Sequence, residues 1–409
     1  MRVIALSINY WPEETGIGPV TTWRCEYLAS RGHEVTVCTT FPYYPQWRVD
    51  EHYRYAFWRR EERRGVTILR SAAWVPACVN PLTRILFEAS FLASNLARAF
   101  SARKPDLLWI VSPPLGLALT ARFLSWFWRV PFVYDVMDLQ PDAAAELGML
   151  GPGVLLKILY GLERFAYRHA SLISTLTEGM RQRIIGKSIS PDKVILFPAP
   201  AGRELLLVKR GAGGEGFRCA HGLEGKFIVA HSGNMGIKQG LDVVLRAAEI
   251  SYSRSDIVYL LVGDGATRPE LESQAAAKRL ANVKFLPLLP REQFLQMLAA
   301  ADLSLISQQR SVADIVFPSK TVTLMTAGCP ILASVNSNSE VARIITDAGA
   351  GLVIAPEDPE SLVAAVSSLE RDSARLRGMS EAGRRYAREI WDEDRTLPRM
   401  ESDLMRAAG

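Results

Sequence analysis

Short apolar runs alternate with longer amphipathic segments through the second half of the chain. The runs have four to six residues each and are apolar in most positions, and glycine, proline or a polar residue follows each run within two positions. Such runs are typical of strands that are buried on both faces of a sheet. They occupy residues 227–231, 257–262, 282–285, 302–306, 330–333 and 351–354. Because a helix-length segment lies between most successive runs, the pattern predicts a doubly wound parallel sheet flanked by helices.

The first half shows the same alternation, so a second α/β domain is expected in this chain of 409 residues. Strands are predicted at residues 3–8, 106–111, 132–136, 172–175 and 193–197, and helices at residues 20–31, 82–103 and 155–169. The charged run 59–64 mixes both signs and is expected to form a solvated turn. Pro198, Pro200 and the glycine-rich segment 211–216 predict a domain boundary near residue 200.

The composition is that of an ordinary globular chain, with 48% hydrophobic and 22% charged residues. Five scattered cysteines suggest neither a disulfide framework nor a zinc site, which favours a reducing cytoplasm. No apolar run reaches about 18 residues, so a membrane-spanning helix is not expected. The first residues lack the features of a signal peptide.

Positive charge is concentrated in residues 1–200, where 23 Lys and Arg residues outnumber 17 Asp and Glu residues. This excess favours a polyanion or an anionic membrane surface as a partner. No recognition module or aromatic RNA-binding signature is present, so nucleic acid is not expected. The aromatic run 123–129 has two interpretations, an interfacial membrane contact or the end of a helix packed on the sheet.

A glycine-rich turn follows the apolar run 227–231 and indicates an anion site. It contains Gly233 and Asn234, and Lys238 precedes a helix expected from about residue 239. Glycines let backbone N–H groups approach an anion closely, and a helix N-terminus adds free N–H groups and a positive dipole. With a lysine as a mobile positive charge, this arrangement suits a phosphate group.

A second helix start of the same kind lies further along the chain. Pro318, Ser319 and Lys320 precede an apolar helix that ends at Gly328. Proline and serine are favoured at helix N-termini, where unpaired N–H groups point outward. Two helix N-termini, each with a lysine, therefore predict a diphosphate site in the second domain.

The first domain offers candidate groups at the carboxyl edge of its sheet. Gly16 and Gly18 lie in a loop between the first strand and the first helix, and Asp138 follows the strand 132–136. Ligands bind at this edge in doubly wound folds. Asp138 is therefore a candidate to bind, orient or deprotonate a hydroxyl group of a ligand, or alternatively to cap a helix.

These motifs, taken together, resemble one enzyme family. The turn G-N-M-G-x-K-Q-G and the later P-S-K-x(7)-G-x-P, read with N-Y-W-P-E-E-T-G-I-G and P-Y-Y-P-Q-W near the N-terminus, are similar to the retaining GT-B glycosyltransferases of family 4. The branch that they resemble contains fucosaminyl- and colanic-acid-type transferases of bacterial polysaccharide assembly. The resemblance extends over about residues 1–395. It implies an α/β fold of two Rossmann-like, doubly wound parallel-sheet domains that face a cleft.

The resemblance also implies what each part of the chain does. Residues 1–200 would bind the acceptor and face the membrane, and residues 201–385 would bind the nucleotide sugar. A C-terminal helix at 386–409 would cross back to the first domain.

Site residues follow from the same resemblance, position by position. Catalytic roles fall to Asp138, Lys238 and Lys320. The donor is expected to contact Gly16, Gly18, Gly233, Asn234, Lys238, Gly263, Asp264, Leu286, Asp314, Pro318, Ser319, Lys320 and Thr323. The acceptor side is expected at Glu14, Thr15, Trp47 and Asp138.

The chain departs from the family at the acidic pair E-x(7)-E. Ile315 and Thr323 occupy its two positions, so a hydroxyl replaces a glutamate that holds the ribose in the family. Asp314 is expected to contact the transferred sugar instead, and Glu340 is an alternative partner for the ribose. Asn234 replaces the family's arginine, which leaves two lysines as the basic groups of the site.

The resemblance implies transfer with retention from a nucleoside-diphosphate sugar, with a UDP-sugar such as UDP-L-FucNAc favoured over a GDP-sugar. The acceptor is expected to be a saccharide on a polyprenyl diphosphate at the cytoplasmic face of the inner membrane. Fixed positive charges can replace a metal ion, so no cofactor is expected. Two alternatives stay open: a GT-B nucleotide-sugar epimerase, which needs no acceptor, and a non-catalytic subunit that binds nucleotide sugars.

Overall fold

The computed structural model describes residues 1–14, 16–146, 151, 153–311 and 319–409. These residues form two compact units. The first unit is Met1–Pro200 with Asp394–Gly409, and the second is Ala201–Glu393. Each unit has one largely or wholly parallel sheet covered by helices, so the expected α/β class with two Rossmann-like domains is confirmed.

The sheet of the first unit has eight strands. They are β1 (Arg2–Leu6), β2 (Glu34–Thr40), β3 (Trp58–Arg63), β4 (Val66–Ser71), β5 (Leu107–Ser112), β6 (Phe132–Val136), β7 (Leu172–Thr175) and β8 (Val194–Leu196). Their order is β3–β4–β2–β1–β5–β6–β7–β8, and every neighbouring pair except β3–β4 is parallel. The winding reverses between β1 and β5, which makes this the topological switch point of the sheet.

Helices of the first unit cover both faces of its sheet. They include α1 (Gly18–Ser30), α2 (Pro81–Ala99), α3 (Leu117–Trp128), α4 (Gln140–Glu146), α5 (Val154–His169) and α6 (Glu178–Gly186). Apolar side chains of α2, α3, α5 and α6 pack on one face, and those of α1 pack on the other. The start of α2 is fixed by a cap, because Asn80 Oδ1 accepts a hydrogen bond from Thr83 N (3.0 Å).

Residues 59–63 of the charged run form an edge strand, so the expectation of a solvated turn over the run is wrong. β3 pairs antiparallel with β4, and the connecting hairpin turns at Arg64 and Gly65, both of which have positive φ. Glu61 Oε2 accepts a hydrogen bond from Arg70 Nε across the pair (2.7 Å). Charged side chains protect an edge strand from pairing with another chain, so mixed charge is compatible with a strand at this position.

The aromatic run 123–129 forms the second half of α3. Phe123, Trp126 and Phe127 are 43%, 64% and 54% exposed, and Phe127 lies edge-on to Phe100 at the end of α2 with ring centroids 5.2 Å apart. Most of these aromatic rings therefore form an exposed apolar cluster instead of packing on the sheet. Across the described part of the chain, no helix combines the length and the apolar character needed to span a bilayer.

The second unit has a six-stranded parallel sheet. Its strands are β9 (Phe227–Ser232), β10 (Ile257–Val262), β11 (Val283–Leu286), β12 (Leu303–Ser307), β13 (Ile331–Ser334) and β14 (Gly351–Ile354). Each strand lies within one residue of the run that predicts it. The order is β11–β10–β9–β12–β13–β14, so the switch point lies between β9 and β12.

Helices of the second unit enclose a core on each face of this sheet. They are α7 (Arg203–Leu206), α8 (Glu215–His221), α9 (Asp242–Ile250), α10 (Arg268–Ala277), α11 (Arg291–Ala300), α12 (Ser319–Thr326), α13 (Glu340–Ala348), α14 (Pro359–Glu370) and α15 (Ser373–Ile390). Trp391, directly after α15, is buried in one of these cores beside Tyr386, with ring centroids 5.4 Å apart.

The segment 386–409, expected to be one helix, contains the end of α15 and the separate helix α16 (Glu393–Ala408). Nearly all of α16 belongs to the first unit, whereas α15 belongs to the second. Leu397 and Leu404 pack with α1 against the sheet of the first unit. Glu401 accepts a hydrogen bond from the Tyr27 hydroxyl (3.0 Å), which fixes the polar side of α16.

Candidate active site

The two glycine turns after β9 and β10 pack directly on one another at the carboxyl edge of the second sheet. Gly233 N donates to Val262 O, and Met235 N donates to Asp264 O, each at 2.8 Å. Gly263 has φ +136°, and a Cβ built on it would lie 1.9 Å from Gly233 O. Only glycine fits at this crossing, so the backbone of two predicted donor-binding turns is held as one body.

Lys320 lies over the first of these turns. A Cβ built on Gly233 would lie 2.9 Å from Lys320 Cε and 3.4 Å from its Nζ, so the lysine crosses the glycine closely. Lys320 follows β12 and Gly233 follows β9, the two strands on either side of the switch point. Burial lowers the pKa of Lys320 to about 8. The sequence predicts both groups for the donor, and the structure brings them together.

Ser319 and Thr323, also predicted for the donor, lie on α12 with Lys320. Ser319 is exposed, whereas Thr323 is half-buried one turn further along the helix. Thr323 follows Lys320 by three positions and Ser319 by four. Residues at these spacings share one side of a helix, so all three lie on the same side of α12.

Lys238 lies in a 3-10 turn, Ile237–Gln239, instead of at the start of α9, which begins three residues later than expected. Gly240, with φ +54°, separates the turn from the helix. The Lys238 carbonyl accepts from Gln309 N (2.8 Å), so its backbone is fixed while its side chain is exposed. The ammonium group is therefore free to approach a ligand from solvent.

The remaining described donor candidates surround these turns. Asn234 and Asp264 are exposed, and Asp264 Oδ1 accepts from Gly265 N (2.8 Å). The Leu286 side chain is buried in the core, and its carbonyl oxygen accepts from Gly263 N (3.1 Å). The Leu286 backbone therefore holds the second glycine turn in place, while its side chain packs in the core.

Glu13 organises the corresponding edge of the first unit. Its Oε1 accepts hydrogen bonds from Tyr43 N and Tyr44 N (both 2.9 Å), and its Oε2 accepts from Asn9 Nδ2 (2.7 Å). The carboxylate is buried, and burial raises its pKa. It ties the loop after β1 to the loop after β2, a role that the sequence analysis missed.

Four of the predicted residues of the first unit lie in, or directly after, the two loops that this carboxylate joins. Gly16 has φ +70°, and Gly18 is the first residue of α1, where a Cβ would lie 3.3 Å from Glu13 O. Glu14 is exposed. Trp47 is half-buried and packs on the Tyr43 ring with centroids 5.4 Å apart, so it belongs to an aromatic cluster beside the glycine loop.

The two carboxylates near the end of β6 have different environments. Asp135 is fully buried, pairs with Arg24 Nη1 (2.9 Å) and accepts from Ser174 Oγ (2.9 Å). Burial raises the pKa of Asp135, and the Arg24 charge opposes the rise. Asp138 is only half-buried, and its carbonyl oxygen accepts from Gln140 N (3.0 Å) at the start of α4. Asp138 is thus the more accessible carboxylate of the two.

Three of the predicted site residues, Thr15, Asp314 and Pro318, lie outside the described residues, as does Ile315 of the family's acidic pair.

Within the described ranges, no group of three or more His, Cys, Asp or Glu side chains could hold a metal ion. Glu340 is in the first turn of α13 and pairs with Arg343 (3.4 Å).

A buried histidine beneath Lys320 was also missed by the sequence analysis. His231 is the second-last residue of β9 and is 1% exposed, and its Nε2 lies 3.2 Å from Lys320 Nζ. Burial and then the positive charge of Lys320 lower the pKa of His231 to about 3, so the ring is neutral. Two tight glycine turns, one exposed lysine and one lysine held by a neutral ring together suit an anion of diphosphate size.

Two family models match the chain. The model described as "Glycosyl transferase 4-like domain" matches residues 15–200. The model described as "Glycosyl transferases group 1" matches residues 217–386. The first match lies in the first unit, and the second lies in the second unit.

Individual proteins match over much or all of the chain. The putative colanic acid biosynthesis glycosyl transferase WcaI of Escherichia coli (strain K12) is 31% identical, over 99% of this chain and 100% of WcaI. The probable glycosyltransferase WbjE of Pseudomonas aeruginosa is 25% identical, over 72% of this chain and 73% of WbjE. A crystal structure of Anabaena HepE in complex with UDP has a TM-score of 0.73 at 17% identity, and the match covers 99% of this chain and 100% of HepE.

The relationship to WcaI extends over the full length of both proteins, so it includes both sheets and the final helix. The likeness to HepE, at much lower identity, shows the same two-domain fold. The chain therefore belongs to the GT-B glycosyltransferases of the family 4 type, and the protein is a glycosyltransferase.

Proposed function

We propose that this glycosyltransferase moves a sugar from a UDP-sugar to a saccharide acceptor in bacterial polysaccharide biosynthesis, with retention of the anomeric configuration. The observation that carries the proposal is the convergence of two glycine turns and Lys320 at the switch point of the second unit. The name of WcaI, which refers to colanic acid, supports the pathway class, and the UDP bound to HepE supports the nucleotide. Within UDP-sugars, an N-acetylated 6-deoxy sugar such as UDP-L-FucNAc is the favoured donor.

The chemistry follows from the charge that develops on the leaving group. As the bond between the sugar and the diphosphate breaks, negative charge grows on the phosphate oxygens. The Lys320 ammonium, the Lys238 ammonium and the N–H groups of the turns would stabilise this charge without needing to reorganise. These fixed groups would supply what a divalent cation supplies elsewhere, so we propose a metal-independent reaction.

The acceptor hydroxyl would attack from the side on which the diphosphate leaves, because the configuration is retained. Its oxygen would form the new bond to the anomeric carbon, and its proton would pass to an oxygen of the departing phosphate. Asp138, accessible at the edge of the first sheet, would accept a hydrogen bond from this hydroxyl and orient it. Glu14, Thr15 and Trp47 are the further groups that we assign to the acceptor side.

We also propose that the acceptor is linked to a polyprenyl diphosphate and that the first unit binds the cytoplasmic face of the inner membrane. The outer sides of α2, α3 and α5 carry many exposed large apolar side chains. These are Leu82, Ile85, Leu86, Leu119, Phe123, Trp126, Phe127, Val154, Leu155 and Ile158, with Phe100 directly after α2. We call these residues the apolar outer face. Amphipathic helices that bind the interfacial region of a bilayer present an apolar face of this kind.

Charge on the same helices also favours an anionic bilayer. Their described ranges contain two acidic residues, Glu88 and Glu163. Glu88 pairs with Arg84 (3.1 Å), and Glu163 is buried against Lys187 (2.7 Å). The apolar outer face is therefore bordered by basic side chains such as Lys157, with no exposed acidic side chain on these three helices to oppose lipid phosphates.

Two alternative functions differ from the proposed one in the substrates that they need and the products that they form. An epimerase would convert a nucleotide sugar without an acceptor, and the apolar outer face has no part in that reaction. A non-catalytic subunit would bind the nucleotide sugar without transferring or hydrolysing it. A chromatographic assay of the purified protein with a nucleotide sugar, with and without lipid-linked saccharide, separates the three by the product formed.

The proposal is tested by thermal melts of the purified protein in UDP, GDP, ADP and TDP. A ligand present at 100 times its dissociation constant stabilises a fold by about 2.7 kcal/mol, which shifts the melting temperature visibly. We expect a shift with UDP and a much smaller shift in the variant Lys320→Ala. A shift with GDP alone would change the donor class, and no shift with any nucleotide would overturn the proposed donor site.

A further inference from the structure

The contact between His231 and Lys320 has features that stability alone does not explain. Among the residues that the structure describes, Lys320 Nζ has one hydrogen-bond partner, His231 Nε2 at 3.2 Å, and no carboxylate within ion-pair distance. The backbone at Asn234 and Leu305 lies close enough to the His231 ring to raise its pKa slightly, although His231 Nδ1 has no hydrogen bond of good geometry among the described residues. A buried polar atom without a well-formed partner is costly to a fold, so packing alone does not account for a histidine at this position.

The chemistry of the pair fixes the state of the ring. An ammonium group has three N–H donors and no acceptor, so the nitrogen that faces it has to accept a hydrogen bond. Nε2 is then unprotonated, and the ring is neutral with its proton on Nδ1. Burial, together with the Lys320 charge, keeps the pKa of His231 near 3, which maintains this state at any physiological pH.

We infer that His231 is a positioning residue that holds the Lys320 ammonium over the Gly233 turn, so that the remaining N–H donors point to the diphosphate of the nucleotide sugar. The inference rests on the proposed donor site. A carboxylate at the same place would also hold the ammonium but would neutralise its charge. A neutral acceptor fixes the direction of the lysine and leaves its full positive charge for the ligand.

The arrangement at Gly233 agrees with this role. A Cβ on residue 233 would lie only 2.9 Å from Lys320 Cε. Because Gly233 has no side chain, the lysine can pass this close to the turn. The lysine is therefore confined by the glycine turn on one side and by the imidazole at its end. A charged group that is already oriented loses less freedom when the ligand binds, which increases affinity.

The test is a double-mutant cycle on UDP affinity, measured by isothermal titration calorimetry with UDP as the probe. We expect His231→Leu to weaken UDP binding by about tenfold, with a smaller effect on UMP, which lacks the second phosphate. His231→Gln keeps a neutral acceptor and should restore most of the affinity. Combining His231→Leu with Lys320→Ala should weaken binding no further than Lys320→Ala alone, because the histidine acts through the lysine.

Several outcomes would overturn the inference. Additive losses in the double variant, equal losses for UDP and UMP, or unchanged affinity in His231→Leu would each show that His231 does not act through Lys320. If His231→Leu does not fold, the variants His231→Gln and His231→Glu are compared instead, because their side chains are nearly equal in size. We expect the glutamate to weaken UDP binding at least tenfold more than the glutamine, since it neutralises the ammonium, and equal affinities would count against the inference.

Failure of the proposed function gives a different result. A wild-type protein that binds none of the four nucleoside diphosphates would overturn the donor site and this inference with it. A wild-type protein that binds UDP, with His231→Leu binding equally well, would overturn the inference alone.

Discussion

At the scale of single residues, Glu13 and Glu14 are adjacent carboxylates with opposite surroundings. Glu13 accepts three hydrogen bonds inside the first unit, whereas Glu14 is exposed. Glutamine at position 13 keeps the shape but replaces an accepting oxygen by an N–H donor. We expect Glu13→Gln to lower the free energy of unfolding by about 1–3 kcal/mol.

Glu14→Gln is the matched control for Glu13→Gln, and its effect should stay within about 0.5 kcal/mol. Urea titration of both variants, followed by circular dichroism, measures the difference. Equal stabilities would mean that the buried carboxylate does not hold the two loops together.

Lys238 differs from Glu13 because its proposed role is in the reaction and not in the fold. The side chain is exposed, so Lys238→Ala should leave the melting temperature unchanged. We expect it to lower turnover by about 100-fold, the usual cost of removing one group that stabilises transition-state charge. Lys278→Ala, which removes an exposed lysine paired with Glu249, is the control and should keep normal turnover. Near-normal turnover in Lys238→Ala would exclude its assignment to the leaving group.

The state of Lys320 makes donor binding sensitive to pH. Burial lowers the pKa of Lys320 from its usual 10.5 to about 8, so the free protein loses this charge as the pH rises through that value. UDP keeps its negative charge in this range, so we expect its affinity to fall between pH 7 and pH 9, by at most about tenfold per unit above the pKa.

Calorimetric titrations with UDP at pH 7, 8 and 9 measure this effect. Lys320→Arg is the control, because a guanidinium group stays charged throughout and should give a flat profile. The same decline in both proteins would assign the pH dependence to another group.

At the scale of elements, the crossing of the two glycine turns is the place where an added side chain is least tolerated. Alanine at position 263 would place its Cβ 1.9 Å from Gly233 O, at a φ of +136°. We expect Gly263→Ala to destabilise the second unit by about 1–3 kcal/mol or more and to abolish the melting shift with UDP. Gly378 in α15 has open space around it. Gly378→Ala should therefore stabilise the protein by about 0.5–1 kcal/mol and leave the UDP shift unchanged.

The sequence predicts strands well where both faces are buried. Most residues in the six strands of the second sheet are apolar, so the predicted positions agree with the structure to within one residue, although Lys284 interrupts β11 and Ser304 interrupts β12. β3 was missed because it is an edge strand, whose charged side chains look like those of a loop. β4 was also missed, because Thr67 and Arg70 interrupt its apolar residues. The start of α9 was placed too early because Gly240 adopts a positive φ that periodicity does not reveal.

The candidate site was predicted only where local sequence marks it. Glycine turns and lysines near helix starts carry a recognisable pattern, so Gly233, Gly263 and Lys320 could be proposed before the structure. Glu13 and His231 carry none, because their partners are distant in the chain. Glu13 binds the backbone 30 residues further on, and Lys320 follows His231 by 89 residues. One sequence feature could have drawn attention to both residues: each is an ionisable side chain two or three positions before a predicted glycine turn.

At the scale of the whole molecule, the apolar outer face should govern where the protein resides. We expect Trp126→Ser combined with Phe127→Ser to weaken binding to vesicles of phosphatidylglycerol and phosphatidylcholine by about tenfold or more, because two exposed rings no longer enter the interface. Leu288→Ser removes an apolar residue of the second unit that is more exposed than either ring, and it should leave vesicle binding unchanged. Vesicle flotation measures both variants. Equal binding of wild type and the double variant would exclude α3 as the membrane contact.

The final helix has a consequence for how the protein is made. Leu397, Met400 and Leu404 of α16 complete the core on one side of the first sheet, yet they follow the first 200 residues of the chain by about as many positions again. The first 200 residues leave the ribosome long before them, and at about 5–20 residues per second the delay is roughly 10 to 40 s. During this time the nascent first unit exposes the apolar surface that α16 later covers. We therefore expect chaperones to bind the nascent chain until α16 has been synthesised and covers this surface.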